Sequence, residues 1–167
     1  QPIADALDQN PHIVVTGRVT DSALTLGPLM HHFGWAADDW DKMAAGVLAG
    51  HLLECGSQIT GGYHADPGRK NVSRMAEIGF PIAEVEEDGS LVITKPVGSG
   101  GVVNTRTVKE QILYELDDPR NYLTPDVILD ISDVEVEQIG VDRVRVSGAK
   151  GNPAPDTWKV TISVDGG

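Results

Sequence analysis

A chain of 167 residues with 40% hydrophobic residues is long enough to build one domain with its own core, and too apolar for a disordered segment. Its net charge of -12 and pI of about 4.6 exclude a protein that tracks nucleic-acid phosphates and argue against docking on anionic membranes. One cysteine forms no internal disulfide, no apolar run reaches the roughly 18 residues of a membrane span, and no basic-then-apolar leader opens the chain, so a cytoplasmic protein is expected.

In chain order, Gln1 to Leu7 reads as part of a helix. His12 to Thr16 is a β-branched run predicted as a strand. Thr16-Gly17-Arg18 then turns into a helix over about Thr20 to His32, the opening of a β-loop-α unit. A second long helix starts at Asp38 or Asp39, whose carboxylates favour a helix N-terminus, and runs to Cys55. Gly46 and Gly50 on one of its faces allow another backbone to approach. A Gly, Asp and Pro-rich loop covers about residues 56–71, and a short helix is predicted at Ser73 to Glu77. Asp88-Gly89 between alternating runs predicts a hairpin over Pro81 to Lys95. Thr107-Val-Lys-Glu110 reads as a capping box opening a helix to about Leu116, stopped by Asp117-Asp118-Pro119.

After Pro125 the texture changes to short alternating runs at Val127–Ile131, Val134–Ile139, Val144–Ser147 and Trp158–Val164. The expected class is α/β, a mixed sheet with flanking helices and a mainly antiparallel β C-terminal segment. Residues 1–125 form the α/β part and residues 126–167 the β-rich part. Both ends read as cuts through a larger domain, so contacts with flanking chain or self-association are expected.

Chemistry concentrates between His51 and Pro67, which hold two of five histidines, the only cysteine, two carboxylates and a Gly-Gly pair. His51 and Cys55, four apart, lie on one helix face about 5–6 Å apart at Cβ, where an imidazole can favour a thiolate. Glu54 is placed to orient that imidazole. The bland alternative is a buried thiol beside a satisfied core histidine. His51, Glu54, Cys55, His64 and Asp66 are metal-ligand types, but no zinc spacing occurs and no metal or cofactor is assigned. Arg18, with Thr16 and Gly17 at the predicted end of a strand, could clamp a carboxylate or phosphate; the alternative is an ion pair with Asp21 or Asp38. Thr60, Gly61, Gly62, Tyr63 and His64, and the second loop Gly98-Ser99-Gly100-Gly101, are of the kind that offers backbone N–H groups to an anion, or are ordinary turns.

Six segments in order, Ile13-Val-Val-Thr-Gly-Arg-Val19, Gly50-His-Leu-Leu-Glu-Cys-Gly56, Thr60-Gly-Gly-Tyr63, Ile78-Gly-Phe-Pro-Ile-Ala-Glu84, Thr107-Val-Lys-Glu-Gln-Ile-Leu-Tyr-Glu115 and Tyr122-Leu-Thr-Pro-Asp126, resemble the acyclic terpene utilisation family, AtuA. Members of that family are longer than this chain. The Gly-rich segment differs mildly: Ser99 stands where such proteins usually carry Thr. The resemblance implies a part in the breakdown of acyclic terpenes such as citronellol and geraniol through CoA thioesters, and it brings no catalytic residues with it. Two functions are expected from it. One is an enzyme of lyase or hydratase type acting on an acyl-CoA or small carboxylate, with an anionic small molecule as partner and His51, Glu54 or Cys55 handling protons. The other is a non-catalytic scaffold subunit of a catabolic complex.

Overall fold

Ten consecutive residues of the Trp40–Leu53 helix, Met43 to Leu52, are buried, so the rest of the chain wraps this helix on all sides. The computed structural model describes residues 1–157, 160, 162–164 and 166. Its helices are α1 (Pro2–Leu7), α2 (Ala23–Phe33), α3 (Trp40–Leu53) and α4 (Thr105–Leu113). α2 crosses α3 where α3 has no side chain to keep it away. A Cβ on Gly46 would lie 2.6 Å from a Leu26 methyl, and one on Gly50 would lie 2.5 Å from the Ser22 Cα. The close approach expected from these two glycines is therefore real, and Ser22 to Leu26 is the backbone that makes it.

The strands form two antiparallel sheets. One has the order β1-β2-β6-β5, with β1 at Ile82–Val85, β2 at Leu91–Thr94, β6 at Arg143–Ser147 and β5 at Glu135–Gly140. The other has the order β3-β4-β7, with β3 at Tyr122–Leu123, β4 at Val127–Asp130 and β7 at Lys150–Pro153. The α/β class with a β-rich C-terminal part is the one read from the sequence. The hairpin also forms where the alternation and Asp88-Gly89 place it. Asp88 Oδ1 accepts from the Ser90 amide at 2.9 Å and its hydroxyl at 2.7 Å, and Gly89 supplies a φ of 87° that few L-residues adopt. β2 pairs with β6, so the two parts of the chain share one sheet.

α3 packs on β4 and β7 and meets α4 at its C-terminal end. The core joins Leu48 and Leu52 of α3 to Ile93, Val108, Leu129 and Val144, all at most 1% exposed. Complete burial of such a side chain contributes about 2 kcal/mol. α4 begins three residues before the position expected. Asn104, not Thr107, is the N-cap: its side chain accepts from the amides of Arg106 and Thr107 at 2.8 and 3.1 Å, and Thr107 Oγ1 accepts from the Asn104 amide at 3.1 Å.

The predicted strand at His12–Thr16 does not form. The run is unpaired, with Ile13 and Val15 exposed by 80% and 88%. β-branched composition suits a pleated surface, but a strand exists only where a neighbouring edge offers hydrogen bonds, and both sheets lie elsewhere. The β-loop-α opening is thus an irregular segment leading into α2. Trp158, Lys159 and Thr161 of the expected last strand lie outside the described residues.

Candidate functional site

Where the C-terminal end of α3 meets the N-terminal end of α2, the chain forms a cavity of about 1160 Å³ that opens to solvent. Small-molecule sites typically span roughly 300–1,000 Å³, so the space suffices for a ligand of that class. Its apolar wall includes Ile3, Val14, Val15, Val19, Leu26 and Leu123. Its polar wall includes Arg18, Asp21, His51, Glu54, Glu115, Tyr122 and Asp126. The run that fails to pair as a strand supplies Val14 to Thr16, and Arg18 to Thr20 follow it, so the first predicted element frames the site even though it is not β.

His51 is 2% exposed and is held from the far side by α4. Its Nε2 lies 2.9 Å from the carbonyl oxygen of Gln111, and the Gln111 side-chain amide donates to the His51 carbonyl at 3.1 Å. A carbonyl only accepts, so Nε2 must carry the hydrogen. The other ring nitrogen, Nδ1, is buried and has no hydrogen-bond partner, yet it lies 3.2 Å from Glu54 Oε1. The two are close enough for an ion pair but too poorly aligned for a hydrogen bond. With Nε2 holding its hydrogen, a neutral ring turns a lone pair towards a carboxylate. The contact becomes attractive when one further proton sits on the ring or on the carboxyl. The Tyr122 ring lies 6.0 Å from the imidazole, centroid to centroid. Burial pushes the Tyr122 hydroxyl above its ordinary pKa, and the charges of Glu54, Glu115 and Asp21 push it further, so it stays a donor at neutral pH.

The structure therefore brings together Thr16, Arg18, His51 and Glu54 of the residues singled out from sequence. Arg18 pairs with Asp21 at 2.9 Å, the alternative recognised from the sequence, and its side chain is 84% exposed at the solvent end of the cavity. Gly17 is exposed beside it. Cys55 does not line the cavity. Burial raises its thiol pKa; the Gln111 side chain offsets part of the rise, and Glu54, Glu115 and Asp21 add to it, so thiolate is disfavoured.

Thr60 to His64 also lie outside the cavity wall. The amides of Gly61, Gly62 and Tyr63 donate to the carbonyls of Gln58, Ser57 and Gln58 at 3.3, 3.0 and 3.3 Å, so the loop's own turns occupy the N–H groups an anion would need. The Thr60 hydroxyl bonds the Gly79 carbonyl at 2.6 Å. His64 forms a separate cluster, its Nδ1 2.8 Å from Glu110 Oε2, with Lys70 donating to Glu110 Oε1 at 2.9 Å. The amides of Ser99, Gly100 and Gly101 are likewise bonded within the fold, to Pro96, Glu77 and Ser73. No three His, Cys, Asp or Glu side chains among the described residues are grouped to hold a metal ion.

Gln111, Glu115, Tyr122 and Asp126 carry the site with His51 but were not singled out as site residues from sequence. Glu115 follows α4, Tyr122 opens β3 and Asp126 follows it, far from His51 along the chain. Their one sequence signal was membership of the segments quoted above. Segments from Val14 to Val19, His51 to Glu54, Gln111 to Glu115 and Tyr122 to Asp126 all converge on this place.

No curated protein and no solved structure matches the chain. The family model of the acyclic terpene utilisation family protein AtuA matches residues 1–167, and the chain therefore belongs to the AtuA family.

Proposed function

We propose that the cavity is the substrate site of an enzyme of acyclic terpene utilisation, and that it moves a proton on an acyl-CoA or related acyl compound in lyase or hydratase-type chemistry. The observation that carries this reading is the His51–Glu54 pair. An imidazole with a fixed tautomer turns an unpartnered, buried Nδ1 towards a carboxylate 3.2 Å away, in the wall of a ligand-sized hollow. A general acid or base needs a defined proton position, a partner to share the charge, and access to the reacting atom; His51 and Glu54 supply the first two, and Glu54, the more exposed of the pair at 14%, supplies the third. The apolar wall suits a branched hydrocarbon chain, and Arg18 at the solvent end suits the anionic end of a CoA carrier. A concave site with polar groups beside an apolar wall favours an enzyme over a scaffold.

The test is exchange of substrate protons with solvent. Geranoyl-CoA incubated with the protein in D₂O takes up deuterium, read by mass spectrometry. His51→Gln and Glu54→Gln slow the uptake by roughly a hundredfold, the lower end of the general acid–base range. Wild-type protein that leaves the thioester unlabelled refutes the reading.

A further inference from the structure

We infer that the cavity selects its ligand by charge: the end that reaches His51 and Glu54 is an uncharged acyl derivative, an ester or thioester, and not the free carboxylate. This rests on reading the cavity as the substrate site, and it narrows that reading from acyl compounds in general to neutral ones.

The lining carries four carboxylates, from Asp21, Glu54, Glu115 and Asp126, against one guanidinium, from Arg18. Arg18 is held by Asp21 and sits in solvent, so its charge serves the mouth of the cavity rather than its interior. Among the described residues, neither Glu115 nor Asp126 has a Lys, Arg or His nitrogen within 4.0 Å. Glu54 has only His51. A carboxylate brought to His51 would meet Glu54, 14% exposed beside the ring, and then Glu115 and Asp126 with no cation beside them, and like charges repel.

Two further observations point the same way. The fields of Glu54, Glu115 and Asp21 reach both Tyr122 and Cys55, where they add to burial in resisting a negative charge on either side chain. His51, 2% exposed, keeps Nδ1 buried against Glu54, and Tyr122 in the cavity lining keeps its hydroxyl hydrogen. The Tyr122 hydroxyl can donate to a carbonyl oxygen. A CoA thioester meets these demands because its reacting carbonyl is neutral and its phosphates lie at the far end of a long arm, within reach of Arg18. A free acid places its charge where the wall opposes it.

Three probes with one hydrocarbon chain test this by isothermal titration calorimetry: geranate, methyl geranate and geranoyl-CoA. Methyl geranate is expected to bind roughly tenfold tighter than geranate, and Glu115→Gln/Asp126→Asn to close that gap to about threefold by tightening geranate alone. About 0.5 M KCl narrows the same gap in the unmodified protein, a readout that needs no substitution. Geranoyl-CoA binding tighter than the methyl ester, with the difference erased by Arg18→Gln, assigns the thioester of CoA; equal binding of the two assigns the neutral acyl function alone. Geranate binding as well as its ester, or a gap untouched by both the double substitution and salt, overturns the charge filter while leaving the deuterium-exchange reading standing. Failure of all three probes to bind removes the cavity as the substrate site and overturns both.

Discussion

Gln111 and His51 clamp each other across the α3–α4 junction with two hydrogen bonds in opposite directions, ring to carbonyl at 2.9 Å and amide to carbonyl at 3.1 Å. The bond that fixes the imidazole tautomer goes to the Gln111 backbone, which substitution does not remove. The returning bond comes from its side chain, whose Oε1 is itself buried without a partner. Gln111→Met is therefore expected to cost only about 1 kcal/mol in urea denaturation, because losing one buried hydrogen bond is partly offset by removing an unsatisfied oxygen. Deuterium exchange into the thioester should stay within a few-fold of wild type. A hundredfold loss would mean that the side chain, not the backbone, holds the ring.

The α2–α3 crossing gives a sharper stability test. Gly50→Ala puts a methyl group 2.5 Å from the Ser22 Cα, which is backbone and cannot rotate away. The expected loss is about 2–3 kcal/mol, the cost of overpacking a close contact. Gly17→Ala meets no atom within 4 Å and lies outside the left-handed region, so it is expected to be neutral or to stabilise by about 0.5 kcal/mol through a less flexible unfolded chain. Equal midpoints for the two variants would contradict the packing described.

Glu110 makes a prediction about pH. Burial alone would raise its pKa, but hydrogen bonds from Lys70 and His64 and their charges outweigh that and hold the carboxyl below its ordinary value. A carboxyl with a depressed pKa in the folded state stabilises fully above the unfolded glutamate value of about 4.3, and that contribution fades as pH falls through the lower folded value. Glu110→Gln is expected to flatten the stability profile in that acid window. At pH 7 it should cost less than about 1 kcal/mol, because Glu110 and Lys70 are 27% and 45% exposed and water screens the pair. Thermal midpoints of the two proteins between pH 3 and 7 check the sign.

Cys55 and His51 separate on activity. The thiol lies outside the cavity with a raised pKa, so Cys55→Ala should retain exchange within about threefold, whereas His51→Gln loses about a hundredfold. Loss of activity in Cys55→Ala without loss of stability would return the thiol to the chemistry.

Local signals in the sequence were legible, and distant pairing was not. The hairpin at Asp88-Gly89 and the α3 helix with its glycines follow from turn geometry and periodicity within a few residues, and both form as expected. The His12–Thr16 run misleads because its residues favour a strand while no sheet edge lies beside it. α4 starts early because Asn104 competes successfully with Thr107 for the N-cap. Of the site, the i,i+3 spacing of His51 and Glu54 was legible because a helix fixes it. Gln111, Glu115, Tyr122 and Asp126 approach His51 only through the packing of α4 and β3, which no short spacing encodes. For the Gly-rich loops two readings stayed open from sequence, because glycine announces a turn but not which carbonyls its N–H groups will find.

The pairing of β2 with β6 ties residues 91–93 to residues 144–146, more than fifty positions later. A protease that nicks the chain near Pro125 would leave two pieces still zipped together through Leu91, Ile93 and their antiparallel partners. A shortened protein ending there would instead bare one side of β2, an unsatisfied hydrogen-bonding row inviting any passing strand. The front half is thus not a free-standing unit: its sheet stays incomplete until the back half arrives.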